Sequence, residues 1–126
     1  VLLDTHALLW WLTEDERLSA RARKAIAASR GSVLVSAASG WELATKHRLG
    51  KLPQGEHVVP VLPDLLRREG FGTVAVSLAH ALAAGNLAGH HRDPFDRLLI
   101  AQAKFEGIPI VSADRVFADY DVGVIW

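Results

Sequence analysis

Short apolar runs alternate along the chain with stretches whose apolar positions recur at helical spacing, and the alternation persists from Val1 to Trp126. That is the pattern of a parallel sheet whose crossover helices cover both faces. Val1-Leu2-Leu3 reads as a buried first strand, Val33-Leu34-Val35 as the second, Thr73 to Val76 as the third, Ile108 to Val111 as the fourth and Val122 to Ile125 as the last. Between them the spacing predicts a short apolar helix over Ala7 to Leu12 and an amphipathic one near Ser19 to Ser29. A third helix carries Trp41, Leu43, Ala44 and His47, capped by Ser36 or Ser39 and ended by Gly50, with Glu42 in an early turn. Further helices are predicted over Val59 to Arg68, closed by Gly70 and Gly72, and over Leu78 to Ala84, opened by Ser77. Asp93-Pro94 supplies a cap and a first helical residue for the segment that Gly107 ends before strand four. The expectation is a single α/β domain over residues 1–126, an α/β/α sandwich around a parallel sheet of about five strands. Because the sequence starts at Val1, an N-terminal Met and one or two further residues are expected ahead of it.

Composition narrows the class. A chain of 126 residues, 50% apolar and 22% charged, is long enough to bury a proper core and sits in the globular range. It has no Cys, which removes disulfides, thiolate zinc sites and thiol nucleophiles and leaves oxygen and imidazole chemistry. No apolar run is long enough to span a bilayer, so a cytoplasmic protein without a membrane partner is expected. Fourteen basic residues balance fourteen acidic ones, so no global basic field advertises nucleic-acid binding and any such binding must be local. The bases cluster around Arg21 to Lys24, Lys46 to Lys51, Arg67-Arg68 and His90 to Arg97; solvated helix faces explain at least half of them.

In open parallel sheets, ligands bind beyond the carboxyl ends of the strands, where the strand order reverses. Asp4 ends strand one and Asp114 follows strand four. They meet if those strands are neighbours, and Glu42 and Asp96, on helices flanking the same edge, can point to the same place. Each acid also has a plainer explanation. Asp4 can cap the helix after it, Glu42 stands four residues before Lys46 in the favourable helical ion-pair order, Asp96 follows the cap Asp93 in a first turn, and Asp114 can cap a turn. If the acids do converge, they must take up protons or be neutralised by a cation. Magnesium or manganese suits an all-oxygen set, and two such ions roughly 4 Å apart can drive an in-line phosphodiester displacement.

The residues resemble a known family at this point, the PIN-domain nucleases, and within it the VapC-type toxins of bacterial toxin–antitoxin pairs. Leu2-Leu3-Asp4-Thr5-His6-Ala7-Leu8-Leu9-Trp10 looks like the family's opening motif, and Ser36 to Ala44 is similar to the segment supplying its Glu. His91-Arg92-Asp93-Pro94-Phe95-Asp96-Arg97-Leu98-Leu99-Ile100-Ala101-Gln102-Ala103 resembles one subgroup's most recognisable block, and Ile110 to Asp114 its final acidic motif. Four short matches in order are far more specific than one. The resemblance implies an Mg2+- or Mn2+-dependent endoribonuclease using Asp4, Glu42, Asp96 and Asp114 as catalytic metal ligands. It also implies an RNA substrate, a cognate antitoxin that occludes the acids, and a homodimer.

Auxiliary roles fall to neighbours. Thr5 can hold a metal-bound water or cap a helix, Ser112 can orient ligands or bond phosphate, and Asp93, assigned the cap, can join the site through water. His6, His90 and His91 read as helix-end or phosphate contacts, and Trp10, Trp11 and Trp41 as core or interface residues. Competing classes fare worse. A phosphoacceptor receiver domain needs an acidic pair after strand one and an acid after strand three, both missing here, and there is no glycine-rich dinucleotide turn or Walker loop. The remaining rival is a PIN fold that binds RNA or a partner without cleaving it.

Overall fold

The structure, a computed structural model, describes residues 1–126. Five strands form one all-parallel sheet: β1 (Leu2–Leu3), β2 (Leu34–Ser36), β3 (Gly72–Val74), β4 (Ile110–Val111) and β5 (Val124–Ile125). Their order is β3-β2-β1-β4-β5, so β1 and β4 are neighbours and the order reverses between them. Six α-helices connect and cover the strands: α1 (Thr5–Leu12), α2 (Ala20–Ala28), α3 (Ala37–Arg48), α4 (Leu62–Glu69), α5 (Leu78–Asn86) and α6 (Pro94–Glu106). Short 3₁₀ stretches lie at Pro53–Gly55, Val59–Val61 and Arg115–Tyr120.

Register and the period of two divide the strand residues between two cores. Leu2 pairs with Leu34 and Ile110, and Ile110 with Val124; these line the face packed against Leu99, Ile100 and Ala103 of α6 and against Phe117 and Tyr120. Leu3 pairs with Val35 and Val111, and Val111 with Ile125; these face the larger cluster built from α1, α2, α3 and α4, including Leu8, Leu9, Ile26, Leu43 and Leu66. Both faces being covered explains why the strands read as unbroken apolar runs. Leu2 and Leu3 are both fully buried, each contributing about 1.5–3 kcal/mol relative to exposure.

Several boundaries differ from those the spacing predicts. The first helix starts at Thr5 rather than Ala7, because the Asp4 carboxylate caps it and brings two polar residues into its first turn. The segment over Val59 to Arg68 splits into a 3₁₀ turn and then α4, since Pro60 and Pro63 remove amide donors and a continuous helix has no use for both. β1, β4 and β5 are shorter than expected and keep two residues each, β2 is shifted by one residue to Leu34–Ser36, and β3 runs over Gly72–Val74 in place of Thr73 to Val76. Ser36, not Ser39, caps α3, and Ser77 opens α5 in a reciprocal box with the His80 ring. Asp93 caps α6 with Pro94 in its first turn, and Gly107 closes it in the left-handed region, as read.

Candidate functional site

The β1–β4 junction delivers two acids to one edge of the sheet. Asp4 leaves β1 with extended backbone, and its Oδ1 accepts a 2.6 Å hydrogen bond from the Ala7 amide, so the residue that ends the strand also starts α1. Asp114 follows β4 and caps the 3₁₀ turn after it through a 3.0 Å bond from the Val116 amide. Its own amide donates to Ser112 Oγ at 2.9 Å. Asp4 is buried and Asp114 exposed.

Helices bring the other two. Glu42 is the sixth residue of α3, further along the helix than the early turn expected, and is buried. Its Oε1 accepts from Thr5 Oγ1 at 2.7 Å, and Thr5 Oγ1 lies 3.1 Å from Ser39 Oγ. Glu42 Oε2 lies 2.5 Å from Lys46 Nζ. Asp96 is the third residue of α6, and its Oδ2 lies 2.6 Å from His91 Nε2. Asp93 Oδ1 accepts from the Phe95 and Asp96 amides, which fixes the start of that helix.

His91 is presented by a braced loop. The Arg97 guanidinium donates to the Ala84, Leu87 and His91 carbonyls at 2.9, 2.5 and 2.9 Å, with the Gly85 carbonyl 3.5 Å away. The His91 amide donates to Tyr120 Oη at 3.0 Å. That ring passes so close to Gly89 that an added Cβ would sit 2.7 Å from the hydroxyl, and Gly89 has φ +113°, so glycine is required there on both counts.

Asp4, Glu42, Asp96 and Asp114 all line one cleft of about 240 Å³, together with Thr5, His6, Lys46, His91, Asp93 and Phe117. Burial pushes the Asp4 carboxyl above its ordinary value; hydrogen bonds from Ser112 and the Ala7 amide and the charge of His6 pull the other way, and the Glu42 charge adds to the rise. Asp96 is pushed up to about 6, first by burial and then by the charges of Asp93 and Glu42, against the pull of His91. The one charge at Glu42 thus reaches acids on both sides of the cleft. No three of the acid and imidazole side chains surround a common point as tightly as ligands of one ion would. Glu42 is turned to Thr5 and Lys46 and Asp96 to His91, while Asp4 and Asp114 each use an oxygen as a cap.

The PIN domain family model matches residues 1–123. This chain is a PIN domain. Ribonuclease VapC22 of Mycobacterium tuberculosis is 36% identical to it over 117 residues, 91% of this chain and 87% of that one. Ribonuclease VapC16 of the same organism is 49% identical over 51 residues, 40% of this chain, and the match covers only 36% of VapC16's length. The PIN fold and the five-stranded parallel sandwich were both legible beforehand.

The structure brings all four sequence-assigned acids of this PIN domain to a single cleft, with Asp93 beside them. Thr5 lines the cleft too, but its hydroxyl is spent on Glu42 rather than on a cap. Ser112 is buried, touches both strand-end acids and orients them, without facing the cleft itself. His91, read as a phosphate contact, is the partner of Asp96, and Lys46, read as a surface ion-pair partner, is inside the cleft. A His just ahead of an Asp-Pro helix start was the available signal for the first; nothing in the i,i+4 spacing separates a cleft lysine from a solvated one. Trp41, read as a core or interface residue, lies outside the core at 63% exposed and meets Phe95 edge to face. No helix is long and apolar enough to cross a membrane.

Proposed function

We propose that this PIN domain is a divalent-metal-dependent endoribonuclease that hydrolyses RNA phosphodiester bonds and serves as the toxin of a toxin–antitoxin pair. The observation that carries it is electrostatic. Burial first, and the Glu42 charge after it, raises both Asp4 and Asp96 within a cleft that Asp114 also lines, so an ionised carboxylate set there costs stability that a divalent cation would offset. The donors fit a hard ion: they are all carboxylate oxygen, with no thiolate in the chain and no imidazole pair at zinc spacing. Asp4, Glu42, Asp96 and Asp114 would hold Mg2+ or Mn2+, with Asp93 reaching it through water. The bound ion supplies a polarised phosphate and a water acidic enough to act as nucleophile at neutral pH.

The chain's own groups do the rest. Thr5 and Ser39 fix the Glu42 carboxylate, and Ser112 and the Ala7 amide fix Asp4, so two oxygen donors stand preorganised on the cleft floor. Asp96 and His91 form the opposite wall, where the imidazole 2.6 Å from the Asp96 carboxyl sets its orientation towards the cleft. Lys46 places positive charge beside an incoming phosphate, and the His6 ring lines the same cleft. The kinship with proteins named ribonuclease VapC supports RNA as substrate and an antitoxin as inhibitor; a cytoplasmic homodimer is the working form this reading takes. Leu78 and Leu82 on α5 and Phe105 on α6 are exposed apolar residues suited to a subunit contact.

Purified protein incubated with RNA in Mg2+, in Mn2+ and in chelator tests the reaction. Metal-dependent cleavage that Asp96→Asn abolishes is the expected result; metal-independent cleavage, or full activity in the variant, overturns the site. The internal pairing of Glu42 and Asp96 favours one rival, an RNA- or partner-binding PIN fold without cleavage. RNA binding with no cleavage in either metal would establish it. Growth arrest on expression, relieved by the product of an adjacent small gene, tests the toxin role.

A further inference from the structure

Lys46 is the one lysine or arginine side chain that lines the cleft. Its Nζ is 2.5 Å from Glu42 Oε2, and the two side chains differ sharply in exposure, 7% for Glu42 and 36% for Lys46. A solvated i,i+4 bridge adds little to a helix, whereas here the anion is buried and its counter-ion reaches it from the accessible side. The other Glu42 oxygen is already held by Thr5, so Oε2 is the oxygen that a metal ion would take, and Lys46 stands on it.

We infer that Lys46 is the resident counter-ion of Glu42 in the metal-free protein and becomes a contact for a phosphate oxygen of the RNA when a divalent cation claims that carboxylate. The inference rests on the reading of the cleft as a metal site. Two cations crowding one carboxylate oxygen repel each other, so metal entry expels the ammonium from Oε2. Its flexible four-carbon stem stays rooted in α3, one turn beyond Glu42, which keeps the freed charge at the cleft. The anion then arriving there is the substrate phosphate, which lysine binds as a point charge. Lys46 therefore opposes metal binding before RNA is present and assists cleavage afterwards.

Those opposite signs make the inference testable with Mn2+ alone, followed by single-turnover cleavage at saturating Mn2+. Lys46→Gln is expected to bind Mn2+ about tenfold more tightly than wild type in the absence of RNA. At saturating Mn2+ it is expected to cleave roughly ten- to a hundredfold more slowly. Lys46→Met, which keeps the packing of the stem, must shift both quantities the same way, and Lys46→Arg must restore part of the rate. Unchanged or weaker Mn2+ affinity in both neutral variants, or full cleavage by them, would reduce Lys46 to a helix-stabilising partner and overturn the inference. Glu42→Gln separates the two levels: if it binds Mn2+ as tightly as wild type, or if wild type binds none, the metal-site reading fails and this inference with it. If Glu42→Gln loses affinity while the lysine variants match wild type, the metal site stands and the inference alone falls.

Discussion

The floor and the wall of the cleft are built by different means. On the floor, Asp4 and Glu42 are buried and held from several directions by groups on α1, on α3 and at the end of β4. On the wall, Asp96 and Asp114 are more open, and each is set by its neighbours along the chain, Asp96 by the cap of its own helix and by His91, Asp114 by the turn it starts. Floor residues are placed by the tertiary fold and wall residues by local structure. The floor is accordingly where charge is hardest to accommodate and where position is least able to relax.

The contrast is broken most decisively by removing one charge from each side. Asp4→Asn keeps a capping oxygen for the Ala7 amide, so the protein folds, and its RNA cleavage is expected to fall by roughly a thousandfold or more. Asp114→Asn, on the open side where water can substitute, is expected to fall by less, and Glu42→Gln to lie between them. Single-turnover rates at saturating metal decide the order. Equal losses at all positions would erase the distinction between floor and wall.

Metal-linked stability is the next effect in size. At a hundredfold excess over its dissociation constant, Mg2+ or Mn2+ is expected to stabilise the wild type by about 2.7 kcal/mol. Asp4→Asn should melt higher than wild type in chelator, because an amide avoids the burial that pushes this carboxyl up, and should respond less to metal. Thermal melts in chelator and in each ion give both numbers. A variant that melts lower in chelator and keeps the full metal response would make Asp4 a capping residue and nothing more.

A smaller effect sharpens the wall. The Asp96 carboxyl is pushed up to about 6 in the folded protein, above the ordinary aspartate value that it has in the unfolded chain, so the folded state holds the extra proton. Stability from this group is therefore present below the unfolded value and is lost as pH rises through the folded one. Asp96→Asn is expected to melt higher than wild type at neutral pH in chelator, with the difference shrinking as pH falls from 6 towards 4. A difference that stays constant across that range would assign the effect to the helix terminus instead of the cleft. Smallest of all, Trp41→Ala removes an edge-to-face contact with Phe95 at 5.0 Å and is expected to cost about 0.5–1.5 kcal/mol, leaving the metal response unchanged.

What the sequence disclosed follows the same division. Asp93-Pro94, Ser77, Gly107 and the apolar strand runs are local signals, and the elements they mark are present within a few residues of expectation. The neighbouring of β1 and β4 was needed to bring Asp4 to Asp114; the sequence left it as a condition, which the strand order meets. The Glu42–Lys46 pair and the Asp4 cap were legible from spacing; the longer-range partners of the acids were not. That Thr5 turns to Glu42 across 37 residues, that His91 reaches Asp96 over a helix start, and that Tyr120 props the loop from 29 residues away depend on how α1, α3 and the last 3₁₀ turn pack, which no spacing encodes.

Arg97 carries a consequence for anyone exchanging segments among PIN domains. One guanidinium gathers carbonyls from the end of α5, from the following loop and from His91 itself, while its own backbone belongs to α6. Residues 84–97 therefore form a cassette with its fastener at the far end. A graft that stops at the Asp-Pro start of α6 would import the loop without the arginine that shapes it, and would have to draw on the host helix for a substitute; a graft that runs through Arg97 and also brings a tyrosine to the position of Tyr120 transfers the histidine in working order.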